Sequence, residues 1–232
     1  MAAPTVAATT EYALTTAGTT STPTFTQTTG DLVVIFLATA QSTTTTWGDS
    51  FTNLSAASGN LHVGYKVLDG SEGGNVAITT SSTKSAAIAY NITSGTYTSP
   101  PEISTVASGT SATPDPPSIT PAGGAFDYLF LAAAETAGES LDDDTFFNTA
   151  PSSPDAFTNL VQKTSGTGGA VSSNTTLGCA RYASTAYSSI DPGTFGDDTS
   201  RLWHSYTVAV PPTGYTLPEA DGFPYVGGGY YA

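Results

Sequence analysis

The chain has 232 residues, which is enough for one large β domain or for two small ones. Its 24 Gly, 15 Pro and abundant Thr and Ser favour strands and turns over helices. Five Lys and Arg stand against 19 Asp and Glu, so the formal net charge is −14 and no basic face for nucleic acid can be assembled.

Residues 1–29 are rich in Thr and Ser, and we interpret them as an N-terminal arm with the first strands. The next segment, GDLVVIFLATA at 30–40, is a continuous apolar run. Its length and continuity predict a central strand that is buried on both faces. After a short turn and strand at 47–54, residues 61–67 alternate between two faces. The apolar face of this half-buried antiparallel strand carries Leu61, Val63, Tyr65 and Val67.

Two further strands are predicted at 76–81 and 86–92, which completes an all-strand first half. The apolar face of the second carries Ala86, Ile88, Tyr90 and Ile92. Residues 96–124 then contain six prolines, which cannot donate to a sheet ladder. This segment is therefore predicted to be a connector or a sheet edge.

The second half repeats the order of the first. The matched segments are 30–40 with 126–136, DSFTNL at 49–54 with DAFTNL at 155–160, 59–67 with 174–183, and 85–92 with 202–210. Asp31 and Asp127 align the first pair at an offset of 96, and the offset grows through 106 to about 116–118. Such growth is expected where loops lengthen while strands stay the same. The chain is thus predicted to contain two similar halves.

Half of this chain, with four or five strands, cannot easily cover its own sheet. We therefore predict an all-β fold with one antiparallel two-sheet sandwich, jelly-roll-like, built from two loosely repeated halves. The sandwich spans 30–212, with halves at about 30–95 and 125–212 joined by the Pro-rich 96–124. Two tandem Ig-like sandwiches are the alternative.

Candidate chemistry is sparse. The two histidines fall on different predicted strands, His62 on a polar face and His204 on an apolar face, where structural roles are expected. Cys179 is the single cysteine, so no intrachain disulfide forms, and we expect it in a buried strand. The acidic run at 139–144 lacks the spacing of a calcium loop and is interpreted as a solvated loop. We predict no catalytic residue, cofactor or metal site, and no enzyme activity.

Two groups of aromatic residues are candidates for contacts with a partner. Trp47 and Trp203 could form a stacking platform for sugars, although filling or capping the core is the favoured interpretation. The longest apolar run, 32–38, is too short to span a bilayer, so no membrane contact is expected. Residues 213–232 are interpreted as a tail that docks on its own domain or on a neighbour. The predicted partner-binding residues there are Tyr215, Phe223, Tyr225, Tyr230 and Tyr231.

The first 95 residues resemble a widespread group of tailed-phage structural proteins. In that group a Gly-Asp-Leu-Leu-Val strand precedes a Gly-Trp and Leu segment, a strand ending in Tyr-Lys, and a strand ending in Ala-Tyr. The matching positions here are Gly30 to Val34, Trp47 with Leu54, Tyr65 with Lys66, and Ala89 with Tyr90. The second half of the chain matches the pattern of this group less closely.

The resemblance implies a virion protein without enzymatic activity. The first choice is a capsid decoration or cement protein on the capsid surface, where the N-terminal segment or the tail reaches across subunit joints to the major capsid protein. A homo-oligomer, such as a trimer at a threefold position, is compatible with this role. The alternatives are a tail or fibre component for host attachment, which could bind glycans, and a glycan hydrolase.

Overall fold

The computed structural model describes residues 1–56, 58–137, 147–152, 156–166, 174–197 and 199–215. Within these ranges the chain forms fourteen β-strands and no helix. Two six-stranded antiparallel sheets pack face to face, and a short two-stranded ribbon accompanies them. The prediction of an all-β, two-sheet sandwich is confirmed.

The first sheet uses only the first half of the chain. Its strands are β1 (Val6–Ser21), β2 (Leu32–Thr44), β3 (Thr46–Trp47), β4 (Thr52–Asn53), β5 (Ser58–Val67) and β6 (Ile78–Ile92). Their order across the sheet is β1-β6-β2-β5-β4, and β3 pairs with β6. The segments expected as two strands at 76–81 and 86–92 join into β6, because that strand pairs with β1 along most of its length.

The second sheet uses the second half together with the Pro-rich segment that precedes it. Its strands are β7 (Glu102–Ile103), β8 (Ala107–Ser111), β9 (Leu129–Ala137), β11 (Thr158–Thr164), β12 (Thr175–Ala183) and β14 (Arg201–Val210). Their order is β11-β12-β9-β14-β7, and β8 also pairs with β14. The remaining strands, β10 (Phe147–Thr149) and β13 (Gly196–Asp197), form the ribbon. The Pro-rich segment supplies β7 and β8, so it forms the edge of this sheet.

The two sheets have matching strand orders, with β6, β2, β5 and β4 corresponding to β14, β9, β12 and β11. Across the sandwich the orders run in opposite directions, so that β1 contacts β11 while β2 contacts β9. The core therefore lies between the halves. Because each half forms a single sheet, the chain is not two tandem Ig-like sandwiches.

The DxFTNL repeat occupies equivalent edge positions. Thr52 pairs with Tyr65 in β5, and Thr158 pairs with Arg181 in β12. Phe51 and Phe157, which precede these residues, are both buried on the outer faces of their sheets. The offset of 106 predicted for this segment is therefore the structural one.

The structure aligns the central strands β2 and β9 with an offset that differs by one residue from the offset predicted from the sequence. Leu32 pairs with Val67 of β5 and Ile92 of β6. In the second sheet, Leu129 pairs with the corresponding strand ends, at Ala183 of β12 and Val210 of β14. The shared Asp31 and Asp127 would instead match Leu32 with Tyr128. Because strand side chains alternate, that one-residue shift would turn the inward side chains outward.

Three apolar clusters stabilise the sandwich. The inner cluster lies between the sheets and includes Leu32, Val34, Phe36, Leu61, Val63, Ile88, Tyr90, Leu131, Cys179 and Val208. The other two cover the outer faces, where loops bring Phe25 and Leu68 onto the first sheet and Ile119 and Phe195 onto the second. Every residue of β2 from Leu32 to Ala38 is fully buried, which confirms the predicted central strand.

Candidate functional site

The clearest acid–base pair lies between the sheets at one end of the core. Glu135 on β9 and His204 on β14 are cross-strand neighbours, and His204 Nδ1 lies 2.9 Å from Glu135 Oε2. The hydroxyl of Thr175 on β12 donates to Glu135 Oε1 at 3.3 Å. Glu135 is completely buried, while the imidazole retains partial exposure.

Burial raises the pKa of the Glu135 carboxyl, and hydrogen bonds from His204 and Thr175 oppose this effect. Lys84 on β6 faces the same end of the core, where its Nζ donates to Asn174 Oδ1 at 2.7 Å. Among the described residues, His204 forms no hydrogen bond with a Ser, Thr or Cys side chain that could act as nucleophile. The pair therefore joins two strands and does not assemble a nucleophilic site.

His62 on β5 is fully buried under the loops of the first sheet. Its Nε2–H donates to the Gly59 carbonyl at 3.1 Å, and its Nδ1 lies 3.4 Å from the Thr45 hydroxyl. Burial lowers the pKa of His62 to about 4, so the ring is neutral at physiological pH. Sequence alternation assigns His62 to a polar face, but loops cover that face.

Glu72 is a second fully buried carboxylate, at the acidic turn after β5. It accepts hydrogen bonds from Gln27 Nε2 at 2.7 Å and from two backbone N–H groups, and it forms a 2.7 Å ion pair with Lys66. Burial alone would raise the pKa of Glu72, but the hydrogen bonds from Gln27 and Lys66 outweigh it and hold this pKa well below its usual range. All these contacts are internal, which indicates a structural role.

The two tryptophans pack on glycines of neighbouring strands. A Cβ added at Gly64 would lie 2.7 Å from the indole of Trp47, and one added at Gly109 would lie 2.8 Å from that of Trp203. The Trp203 indole N–H donates to Ser111 Oγ at 2.9 Å. Both rings fill space in the protein itself, in agreement with the favoured interpretation.

Tyr215 is buried, with 6% of its surface exposed. Its ring packs against Phe126 and Tyr128, and its hydroxyl donates to Glu102 Oε1 at 3.0 Å. Burial raises the pKa of Tyr215 to about 12. This predicted partner-binding residue therefore belongs to the outer core of the second sheet.

The other four predicted partner-binding residues, Phe223, Tyr225, Tyr230 and Tyr231, lie outside the described residues. The acidic run at 139–144 also lies outside them.

Two edge strands, β1 and β11, lie next to each other along one side of the sandwich, which we call the lateral side. Lys163 of β11 forms a 3.7 Å ion pair with Glu11 of β1. β1 is 16 residues long, and Glu11 is its only charged residue. Natural edge strands usually carry Lys, Pro or a short length that blocks pairing with another chain. β1 has register shifts but neither Lys nor Pro.

Sequence reasoning placed the first strands within 1–29 but did not give the bounds or the edge position of β1, and it missed Glu135. Within 1–29 the signal of an edge strand is weak: one charged residue, Glu11, stands beside one aromatic residue, Tyr12, in a Thr-rich stretch. For Glu135 the signal is its place at the end of the apolar run 128–134, where a strand-end carboxylate enters a core.

No three His, Cys, Asp or Glu side chains of the described residues are grouped so that they could hold a metal ion. No described helix has the length and apolarity needed to cross a membrane. Comparisons with protein-family models, with curated proteins and with solved structures gave no match.

Proposed function

We propose that the chain is a non-enzymatic structural protein of a tailed-phage virion, and that it decorates the capsid and stabilises the shell through contacts with the major capsid protein. The observation that carries this proposal is the edge strand β1, which is long and weakly charged, and which pairs on one side only among the described strands. Such an edge can accept a strand from another polypeptide through main-chain hydrogen bonds.

The covered faces of the sandwich support an edge-based mode of assembly. Loops bury the outer face of both sheets, so the described faces present few large apolar side chains to a partner. Within the described ranges, the large apolar residues with substantial exposure are Met1, Val67, Val106 and Leu202. Main-chain pairing at an edge does not depend on such residues.

The phage resemblance is concentrated in the strands that form the inner layer of the first sheet. Val34 lies in β2, Tyr65 in β5, and Tyr90 in β6, and all three contribute to the inner cluster or pack against it. The matched pattern is therefore a pattern of sandwich packing, which supports a structural role more directly than a catalytic one.

The tail or fibre alternative has no matching observation in its favour. It would use Trp47 or Trp203 as a sugar platform, but both indoles pack against glycines of the protein's own strands. We therefore retain decoration as the proposal.

The test is the copy number of this chain in purified particles of the phage that encodes it, measured by quantitative mass spectrometry against the major capsid protein. The expected ratio is of the same order as that of the major capsid protein. A handful of copies per particle would favour a tail position, and absence from particles would refute both virion roles.

A further inference from the structure

A groove of about 340 Å³ opens at one end of the lateral side. Its walls come from the residues that precede β1 and from the adjoining ends of β9, β11 and β12. Pro4, Val6 and Leu129 supply an apolar wall, and Thr158, Asn159 and Arg181 supply the polar groups.

The charge of Arg181 is unbalanced at this position. Among the described residues, no Asp or Glu carboxylate lies within 4.0 Å of its guanidinium, although the chain has 19 acids and five Lys and Arg. Lys66 and Lys163, in contrast, both form ion pairs with acids of the chain. A half-buried cation without a counter-charge is costly unless it meets solvent or a ligand.

Arg181 lies near the core as well as in the groove, because its charge acts on Tyr90, whose buried hydroxyl has no hydrogen-bond partner among the described residues. Within the described part of the chain the guanidinium forms neither an ion pair nor a hydrogen bond, so its N–H groups can bind a ligand that enters the groove.

We propose that this groove is a carboxylate-binding site, centred on Arg181, for an Asp or Glu side chain of a polypeptide partner. A planar guanidinium binds a carboxylate with two parallel hydrogen bonds. The apolar wall accommodates the aliphatic stem of the acid, and Thr158 and Asn159 line the same groove as Arg181.

The lining residues of the groove and the net charge of the chain favour a carboxylate over a sugar or a phosphate. No aromatic side chain is among the lining residues, so a sugar would lack a stacking platform. A dianionic phosphate would face stronger repulsion from a chain of net charge −14 than a single carboxylate does.

The strand arrangement makes a polypeptide the natural source of the carboxylate. Thr158 and Asn159 belong to β11, which pairs with β12 alone among the described strands, so a segment that lies along the other side of β11 would place one side chain in the groove. This inference goes beyond the proposed function, because it specifies the partner's chemistry whichever assembly the chain joins.

The probe is a blocked pentapeptide, acetyl-Thr-Val-Asp-Val-Thr-amide, and its control is the same peptide with Asn in place of Asp. Binding is measured by NMR titration of the full chain at low salt, with the Arg181 Nε–H and the backbone amides of Thr158 and Asn159 as reporters. The Asp peptide is expected to shift all three signals and to bind about tenfold or more tightly than the Asn peptide.

Two variants separate the groove from general electrostatics. Arg181→Gln should reduce Asp-peptide affinity about tenfold, whereas Lys163→Gln removes the same charge from β11 outside the groove and should change affinity less than twofold. Equal binding of the two peptides by the wild-type chain would overturn the proposal, as would equal losses in the two variants or no shift at all. The wild-type peptide comparison decides the matter even if Arg181→Gln fails to fold.

The result is separable from the copy-number experiment. A virion protein without this carboxylate preference would refute only the groove, and a carboxylate-binding chain absent from particles would refute only the virion role.

Discussion

The edges that follow β6 and β14 occupy the same place in matching strand orders, yet the chain builds them differently. In the first sheet this edge is β1, one strand of 16 residues. In the second it is divided between β7 and β8, of two and five residues, within the Pro-rich segment. Because proline cannot donate to a ladder, this segment supports only short edge strands. Matching topologies can thus have one edge open to a partner and another protected from pairing.

The central strands differ in a complementary way. β2 points Val34 and Phe36 into the inner cluster, whereas β9 points Leu131, Ala133 and Glu135 inward. The clearest difference is Phe36 of β2, which stands where β9 has Ala133, and such differences in size let facing layers interdigitate.

The largest expected effect comes from removing the bulk that the first sheet contributes. Phe36 is fully buried and packs edge-on against Tyr90, with ring centroids 6.3 Å apart. Phe36→Ala should lower the free energy of unfolding by about 3 to 5 kcal/mol, measured by urea denaturation. Leu202→Ala, at a residue 50% exposed, is the control and should change it by less than about 0.5 kcal/mol. Similar values for the two variants would contradict the assigned core.

The buried carboxylates Glu72 and Glu135, one in each half, have pKa values shifted in opposite directions, and the two are expected to respond oppositely to pH. Glu72 accepts three hydrogen bonds and forms one ion pair. Glu72→Gln should therefore lower the free energy of unfolding by about 2 kcal/mol at pH 7. Because the folded pKa of Glu72 is lowered, its contribution is present above the unfolded pKa and is lost as pH falls towards the folded pKa. Thermal unfolding of wild type and variant should therefore converge as pH is lowered. A constant difference between pH 7 and pH 3 would argue against the pKa shift.

Glu135→Gln should show the reverse trend with a smaller amplitude, about 1 kcal/mol. The folded pKa of Glu135 is raised, so its carboxyl contributes stability that is present below the unfolded pKa and is lost as pH rises through the folded pKa. Relative to wild type, the variant should become more stable between pH 4 and pH 7. The readout is the melting temperature across this range, and a trend parallel to that of Glu72→Gln would show that the two acids do not differ.

The smallest effect on folding is expected at the edges themselves, where the effect on assembly should be largest. Thr16→Lys places a charge on exposed β1, and Thr110→Lys makes the same change on exposed β8. Both should alter the free energy of unfolding by less than about 0.5 kcal/mol. Only Thr16→Lys should prevent rebinding to particles stripped of the protein, as measured by co-sedimentation. Equal rebinding of the two variants would rule out β1 as the contact.

The strands of the inner layer could be predicted from the sequence because their burial leaves an apolar pattern. The run at 32–38 and the alternation at 86–92 both correspond to buried strands of the first sheet. Position in the sheet was harder to predict for β1, since an edge strand with intermediate burial has little apolar periodicity.

The candidate sites could be predicted less well, because they depend on contacts between distant segments. Loops that cover the outer face of the first sheet bury His62, although the alternation at 61–67 predicts that this face of β5 is polar. Arg181 and Asn159 meet the residues before β1 only after both sheets have paired and stacked. Tyr215 has an aromatic sequence context suited to a partner, but its position is set by contacts with Phe126 and Tyr128.

Among the described residues, no hydrogen-bonded strand pair joins a strand of the first sheet to a strand of the second. The halves meet through side chains of the inner cluster and through a few other contacts, such as Lys84 with Asn174 at one end of the core and Lys163 with Glu11 on the lateral side.

The segment after β6 links the two halves covalently, and main-chain hydrogen bonds between Thr98 and Pro211 and between Thr213 and Thr96 hold it against the end of the second half. As a tether it keeps each half at a high effective concentration around the other. Cleavage there would leave both ladders intact and turn an intramolecular docking step into the association of two fragments.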